Sequence, residues 1–391
     1  MPRLAIILSH PVQYYSPWFR WLREHSGLEF KVFYLWDFGV TARHDPQFGT
    51  AFQWDVDLLS GYDSEFVPNI ARDPGTHHFR GLDNPSLTAR LAAWRPGAIL
   101  LFGYNWLSPQ RVIWWARRRG IPLIFRGDSH LLGRASLPFL TRMLLRFLFR
   151  QFAAFTHVGA ANRDYFRALG VPDQRLFFAP HSVNSAHFNP EDAATRAATE
   201  ALRTGLGLSG KRVVLFAGKY SEAKQPVALL RAFLQVARPA DALVYVGDGP
   251  EKAKLTELAG AHPSACVRFL PFANQSEMPA RYLLADLFVL PSRGNYETWG
   301  LAVNEAMHLG VPCLVSELVG CQRDLVQPGE TGWVFPAADP AALASVLESA
   351  LRTPAAELQR LGRNARKLAA RYTYRQTSDG LLKALASLPS T

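Results

Sequence analysis

Two lysines five residues apart, Lys219 and Lys224, follow the apolar run Val213-Val-Leu-Phe-Ala217 and precede the helical pattern Val227 to Val236. Gly218 lets the backbone turn tightly, the lysines can converge on one anion, and the helix N-terminus adds partial positive charge. The segment suits a diphosphate, although it lacks the GxxxxGK[ST] order of a Walker loop and two loop lysines can equally be solvated. A second glycine turn, Gly247-Asp248-Gly249-Pro250, closes the next apolar run. Further on, Leu287 to Leu290 leads into a polar loop carrying Glu297, and a helix is expected to begin near Gly300 and stop at Gly310, before Pro312. Glu297 then lies beside a helix N-terminus and Glu305 inside the helix. A carboxylate there can accept hydrogen bonds from a ligand while backbone N–H groups near Trp299 and Gly300 meet an anion. Taken singly, each glutamate is as well read as a helix-start carboxylate or a solvated helix residue.

Other segments carry less. Asp55-Val56-Asp57 has the spacing of a metal-binding DxD, but it sits in an acidic, aromatic stretch away from the strand ends and is not expected to bind metal. His77-His78 reads as a solvated loop pair. Cys266, Cys313 and Cys321 lack CxxC spacing, which favours a reducing compartment over a disulfide framework or a zinc site. After Pro138, Arg142, Arg146 and Arg150 recur every four residues on one helical face. Phe139, Leu140, Met143, Leu144, Leu145, Phe147, Leu148 and Phe149 cover most of the rest. Two readings stand: a buried helix with one basic stripe, or a surface helix docking on an anionic membrane.

The elements that must position these residues are legible as short apolar runs separated by helix-like stretches. Leu4 to Leu8, Val32 to Leu35, Ala98 to Phe102, Pro122 to Phe125 and Leu176 to Ala179 read as buried parallel strands. The pattern restarts with Val213 to Ala217, Ala242 to Val246, Val267 to Leu270, Leu287 to Leu290 and Pro312 to Val315. The 391 residues, 48% hydrophobic and 19% charged, are enough for two domains with sizeable cores. Two doubly wound α/β domains follow, with a boundary in the polar, Ala-rich stretch from about Asn189 to Gly210 and helices from 340 to 388. No stretch reaches the ~18 apolar residues of a membrane span. Residues 1–190 hold 21 basic and 13 acidic side chains, so they carry +8 of the net +11 and invite an anionic partner. Nucleic acid is not expected, because no basic run is interleaved with the aromatics of a nucleic-acid module.

Together the chemistry-bearing segments resemble retaining glycosyltransferases of the two-Rossmann (GT-B) type, family 4. The family pairs G-[RK]-x4-K, here Gly218, Lys219 and Lys224, with a GxGP turn, here Gly247 to Pro250. It then has a segment near the base pocket, here Arg268-Phe269-Leu270-Pro271, and E-x7-E, here Glu297 and Glu305. The match runs in order from about 180 to 340 and ends on Gly320 and Thr331-Gly332. The resemblance implies an α/β protein of two Rossmann-like doubly wound domains facing each other across a cleft. Residues 1–190 would form the acceptor side and 191–374 the nucleotide-sugar side, with about 375–391 packing back on the first. Lys219 and Lys224 would hold the diphosphate, Glu305 the ribose hydroxyls and Glu297 the sugar. Gly218, Gly247, Gly249, Phe269 and Leu270 would complete the donor site, with backbone N–H groups of Thr298, Trp299, Gly300 and Leu301 at the phosphate.

The first domain departs from the family pattern. In place of a glycine-rich loop it has Ser9-His10-Pro11-Val12-Gln13-Tyr14, where His10, Gln13 and Tyr14 offer side chains to acceptor or donor. The family His after this domain's Gly-x-Pro turn is replaced within Arg126-Gly127-Asp128-Ser129-His130, so Asp128 and His130 are candidates at the sugar and Arg126 a neighbour. The resemblance implies a metal-independent hexosyltransferase using a nucleotide-sugar as co-substrate and no cofactor. A lipid-linked or cell-surface saccharide acceptor fits the basic first half. The enzyme is expected in the cytoplasm, peripheral at the inner membrane face, with an anionic membrane surface as a candidate partner. A non-catalytic nucleotide-sugar-binding partner subunit and a nucleotide-sugar epimerase of the same architecture are the alternatives.

Overall fold

The structure is a computed structural model that describes residues 2–41, 43–45, 50–134, 136–294, 297–339 and 341–389. Its first sheet contains β1 (Leu4–Leu8), β2 (Phe30–Tyr34), β5 (Ser64–Phe66), β6 (Ala98–Phe102), β7 (Leu123–Arg126), β8 (Ala154–His157) and β9 (Leu176–Phe178). Its order is β5-β2-β1-β6-β7-β8-β9, all parallel. A separate short pair joins β3 (Arg43–Asp45) and β4 (Thr50–Phe52). The second sheet contains β10 (Arg212–Ala217), β11 (Asp241–Val246), β12 (Cys266–Leu270), β13 (Leu287–Leu290), β14 (Cys313–Ser316) and β15 (Gly332–Phe335). It is parallel throughout, in the order β12-β11-β10-β13-β14-β15.

Every residue of β1 and β6 is buried, because helices cover both faces of a parallel sheet and such strands become uninterrupted apolar runs. Three strands of the two sheets, β5, β8 and β15, were not expected from the sequence. Ala154-Phe-Thr-His becomes β8 although Thr156 and His157 are polar, and both are buried in place, with Thr156 Oγ1 donating to Phe125 O over 3.4 Å. Edge strand β5 is too short and polar to stand out. Chain order reverses between β1 and β6 in the first sheet and between β10 and β13 in the second. Those switch points open a crevice beyond the strands' carboxyl ends, where ligands of doubly wound sheets bind.

The chain divides into two compact units: Met1–Arg43 with Phe52–Ser182 and Thr373–Thr391, and Val183–Tyr372 with His44–Ala51. The division thus precedes the boundary expected at 190. The polar stretch after Asn189 is not a linker but carries the helix Ala193–Gly205, capped by Asp192, whose Oδ2 accepts from Thr195 N at 2.7 Å. That helix is anchored in its own unit, where Arg203 Nη2 donates to Leu284 O over 2.8 Å. The last helix, Tyr374–Ala386, covers one face of the first sheet, with Leu381, Ala384 and Leu385 in one cluster with Leu4, Ile6 and Leu8. Gly380 permits the approach: a Cβ there would lie 2.0 Å from Phe178 O.

Candidate active site

In the second unit the loops after β10 and β11 lie backbone against backbone. Gly218 N donates to Val246 O (3.0 Å), Tyr220 N to Asp248 O (2.8 Å) and Glu251 N to Tyr220 O (2.9 Å). Only glycine fits the far side of this contact. A Cβ on Gly247 would stand 2.1 Å from Gly218 O, and one on Gly249 would stand 2.7 Å from both the N and the O of Tyr220, at φ of +138° and +151°. The turn at Gly247 and Gly249 therefore fixes the lysine loop. Lys219 emerges half-buried between Gly218 and the buried Tyr220. Phe269 and Leu270, half-buried at the end of β12, complete this side, and the Phe269 ring stacks on Tyr245 at 5.3 Å.

Lys224 ends the single turn Glu222–Lys224, directly ahead of the helix Pro226–Val236. The neighbouring Ala223 accepts from Arg293 N at 2.8 Å, which ties this loop to the one after β13. The Lys224 ammonium forms an ion pair with Glu297 Oε2, and Ser292 Oγ donates to the same oxygen over 2.9 Å. Glu297 is only 9% exposed. The family resemblance assigns these two residues to different parts of a ligand, and the fold brings them into direct contact.

The backbone after Glu297 is held by the loop after β14, where Gly320 N donates to Glu297 O (3.0 Å) and Cys321 N to Trp299 O (2.8 Å). A Cβ on Gly320 would lie 1.8 Å from Thr298 O. Trp299 is buried with its Nε1 donating to Asn304 Oδ1 at 2.8 Å, while Thr298 and Leu301 are half-buried. Gly300, at φ +99°, turns the chain into the helix Leu301–His308, whose first N–H groups have no acceptor within the helix. Glu305 is not a solvated helix residue: it is 2% exposed and accepts from Tyr282 Oη at 2.7 Å.

The strand ends of the first unit are organised differently. Arg126, the last residue of β7, is buried; its Nη1 donates to Ala179 O (2.8 Å) and its Nη2 to Pro180 O (3.4 Å). The guanidinium also lies 5.2 Å from the Trp18 ring centroid and 5.9 Å from that of Tyr15, and burial holds its pKa below the ordinary arginine value. A cavity of about 250 Å³ opens beside it, lined in part by Ser9, Tyr15, Tyr104, Asp128 and His181. His181 Nε2 stands 3.5 Å from Asp128 Oδ2. Burial pulls the His181 pKa down more than the Asp128 carboxylate lifts it, so its imidazole is neutral near pH 7.

Sequence alone did not single out His181, although its place just after β9 was a usable signal. Arg126 and Asp128 line the cavity, and His130 does not. His130 is a buried loop residue whose Nδ1 accepts from Leu132 N at 3.1 Å. Gln13 and Tyr14 are half-buried ahead of the helix Ser16–His25, outside the cavity lining. His10, also outside it, packs edge-on to Trp36 and Phe38, and burial lowers its pKa to about 4. Asp57 Oδ1 accepts from Leu59 N and Ser60 N, both at 3.1 Å, so this half of the DxD caps its own turn. Among the described residues, Asp73, His77 and His78 place one ligand atom each within 4.8 Å of one another, all at the surface or partly exposed.

Comparison with known proteins agrees with both halves. Residues 199–368 match the family described as glycosyl transferases group 1, and residues 40–181 match a glycosyl transferase 4-like domain. The chain is 29% identical over 352 residues to a D-inositol 3-phosphate glycosyltransferase of Rhodococcus erythropolis, covering 81% of this chain and 76% of that one. It is 30% identical over 195 residues to the alpha-D-kanosaminyltransferase of Streptomyces kanamyceticus, covering 49% and 50% of the two chains. Anabaena HepE, solved with UDP and glucose, superposes with a TM-score of 0.73 at 17% identity over 99% of this chain and 100% of its own. Sucrose-phosphate synthase from Thermosynechococcus elongatus gives 0.74 at 19% identity over 99% and 98%. The chain belongs to the GT-B glycosyltransferases, and its two doubly wound sheets are the Rossmann-like domains of that fold.

Proposed function

We propose that this enzyme is a retaining, family 4 type hexosyltransferase that moves a sugar from a nucleoside diphosphate donor to a hydroxyl acceptor. The observation that carries the reading is the Lys224, Glu297 and Ser292 cluster at the switch point of the second sheet, beside the glycine-bound Lys219 loop. That HepE is named in complex with UDP and with UDP-glucose supports a donor of this class.

Breaking the anomeric bond builds positive charge on the sugar and negative charge on the departing phosphate. Lys219, Lys224 and the first N–H groups of the helix Leu301–His308 meet the negative charge. Donor binding separates the Lys224–Glu297 pair: the diphosphate takes over the ammonium, and the released Glu297 carboxylate accepts from sugar hydroxyls while Ser292 keeps it oriented. Glu305, steadied by Tyr282, offers its remaining lone pairs to the ribose. Lysines already supply the charge that a metal would, so turnover is expected to persist in EDTA. In the first unit the Arg126, Asp128 and His181 cavity takes the acceptor. A lipid-linked or cell-surface saccharide at the inner face of a membrane suits that unit's positive charge, in polysaccharide or glycolipid assembly.

A thermal-shift screen with UDP-, GDP-, ADP- and dTDP-sugars tests this reading. A donor at about 100 times its Kd stabilises the folded chain by about 2.7 kcal/mol. One base should shift the melting temperature and the matching sugar should be released slowly to water; no shift with any of the four would refute the donor site.

A further inference from the structure

The helix Phe139–Phe149 keeps only Leu145, Leu148 and Phe149 buried. Phe139, Leu140, Met143, Leu144 and Phe147 are between 53% and 78% exposed. Eight large apolar side chains are exposed among the described residues, and five of them lie on this one helix. Single exposed hydrophobes are ordinary, whereas a contiguous group marks an interaction surface. At 100° per residue the five span an arc of about 140°, adjoined by the arc that holds Arg142, Arg146 and Arg150. The patch continues onto the helix Leu107–Arg118, where the Trp114 ring lies 6.0 Å from Phe147. Arg117 and Arg118 are exposed one turn beyond Trp114, on its side of that helix.

Charge identifies the occupant. From Ser129 to Arg163 the chain has five arginines and no Asp or Glu. Arg146 leans onto Ala168 O at 3.4 Å, whereas Arg117, Arg118, Arg142 and Arg150 are exposed without an ion pair among the described residues. A second copy docking isologously would bring arginine against arginine. Spanning is excluded for this helix, since 11 residues reach about 16 Å against a hydrocarbon core of about 30 Å.

We propose that this helix lies flat on an anionic lipid surface. Its five apolar side chains enter the acyl boundary, and Arg142, Arg150, Arg117 and Arg118 reach the headgroup phosphates. The proposal names the device behind the membrane-face reading above and rests on that reading for its setting, but its test reads binding alone.

The full chain is sedimented with phosphatidylcholine vesicles with and without phosphatidylglycerol, at low and high salt. Wild type should bind the phosphatidylglycerol vesicles, less so at high salt. Arg142→Gln with Arg150→Gln should weaken partitioning by about fivefold per charge. Leu140→Glu with Leu144→Glu should weaken it by more than about tenfold, while calorimetry shows nucleoside diphosphate binding as in wild type and the fold therefore intact. Equal binding by the double glutamate variant, or no preference of wild type for the anionic vesicles, would overturn the proposal. So would a dimer in sedimentation velocity that Leu140→Glu with Leu144→Glu dissolves while vesicles bind neither protein. Vesicle binding by a wild type that ignores every nucleoside diphosphate would sink the donor site and leave this surface standing.

Discussion

The strand ends of the two units do opposite things with charge. In the second unit, Lys224, Glu297 and Ser292 come from three points on two loops and meet at a partly open place, where an incoming anion can divide them. In the first, Arg126 is sealed among aromatic rings and donates to the carbonyls of Ala179 and Pro180, which no ligand needs to disturb. A charge that must change partners during a reaction is kept accessible and paired. A charge that shapes a cavity wall is buried and bonded to backbone, where moving it is costly. On the function proposed above, the chemistry falls to the second unit and the shaping of an acceptor cavity to the first.

The sharpest way to break this contrast is turnover. Lys219→Ala and Lys224→Ala should each reduce kcat by roughly 100- to 1000-fold, the scale for losing one preorganised donor to a developing charge. Glu305→Gln should act chiefly on donor affinity, because ribose hydroxyls change little as the bond breaks. If steady-state kinetics showed both lysine variants within a few-fold of wild type, the ammonium groups would not be facing the leaving group.

A smaller effect is expected from Arg126, and on a different quantity. Arg126→Leu leaves the buried Ala179 carbonyl without its donor, while Pro180 O keeps the Thr377 hydroxyl, and should destabilise the fold by about 2 kcal/mol. Donor binding by whatever protein remains folded should match wild type. A denaturation midpoint unmoved by the substitution would mean that the arginine is held for a ligand and not for the fold.

Acidification should weigh more on the first unit. Burial lowers His10 and His157 there, and His308 in the second unit, each to about 4. Unfolded histidines take up protons near pH 6.5 while the folded ones stay neutral, so stability holds above 6.5 and declines as pH falls from 6.5 towards 4. Melting temperatures recorded over that window should slope downward with acid, and His157→Gln should flatten part of the slope. An unchanged slope in that variant would show that His157 protonates freely in the folded state.

The elements of the two sheets were legible because a strand buried on both faces becomes a continuous apolar run, as in Leu4–Leu8 and Ala98–Phe102. Polar residues hid β8, whose Thr156 and His157 are buried only because a neighbouring strand and a loop supply bonding partners. The lysine loop and its glycine turns were readable from local chemistry. The reason for the second turn was not, since Gly247 and Gly249 answer to backbone some thirty residues earlier in the chain. His181 was missed because a histidine in a Pro-bounded stretch looks like connector until Asp128 is seen opposite it.

By itself the sequence determined which residues share a strand, a turn or a helical face, for these follow from periodicity and from what glycine and proline allow. Tertiary structure alone decided which of those faces found a partner. It joined Lys224 to Glu297 across 73 positions, and Glu305 to Tyr282. It also buried Leu145, Leu148 and Phe149 while leaving the rest of their helix's apolar surface exposed. Periodicity records only that a face is apolar or charged. Whether it is covered depends on packing between segments distant in sequence, and no local pattern encodes that.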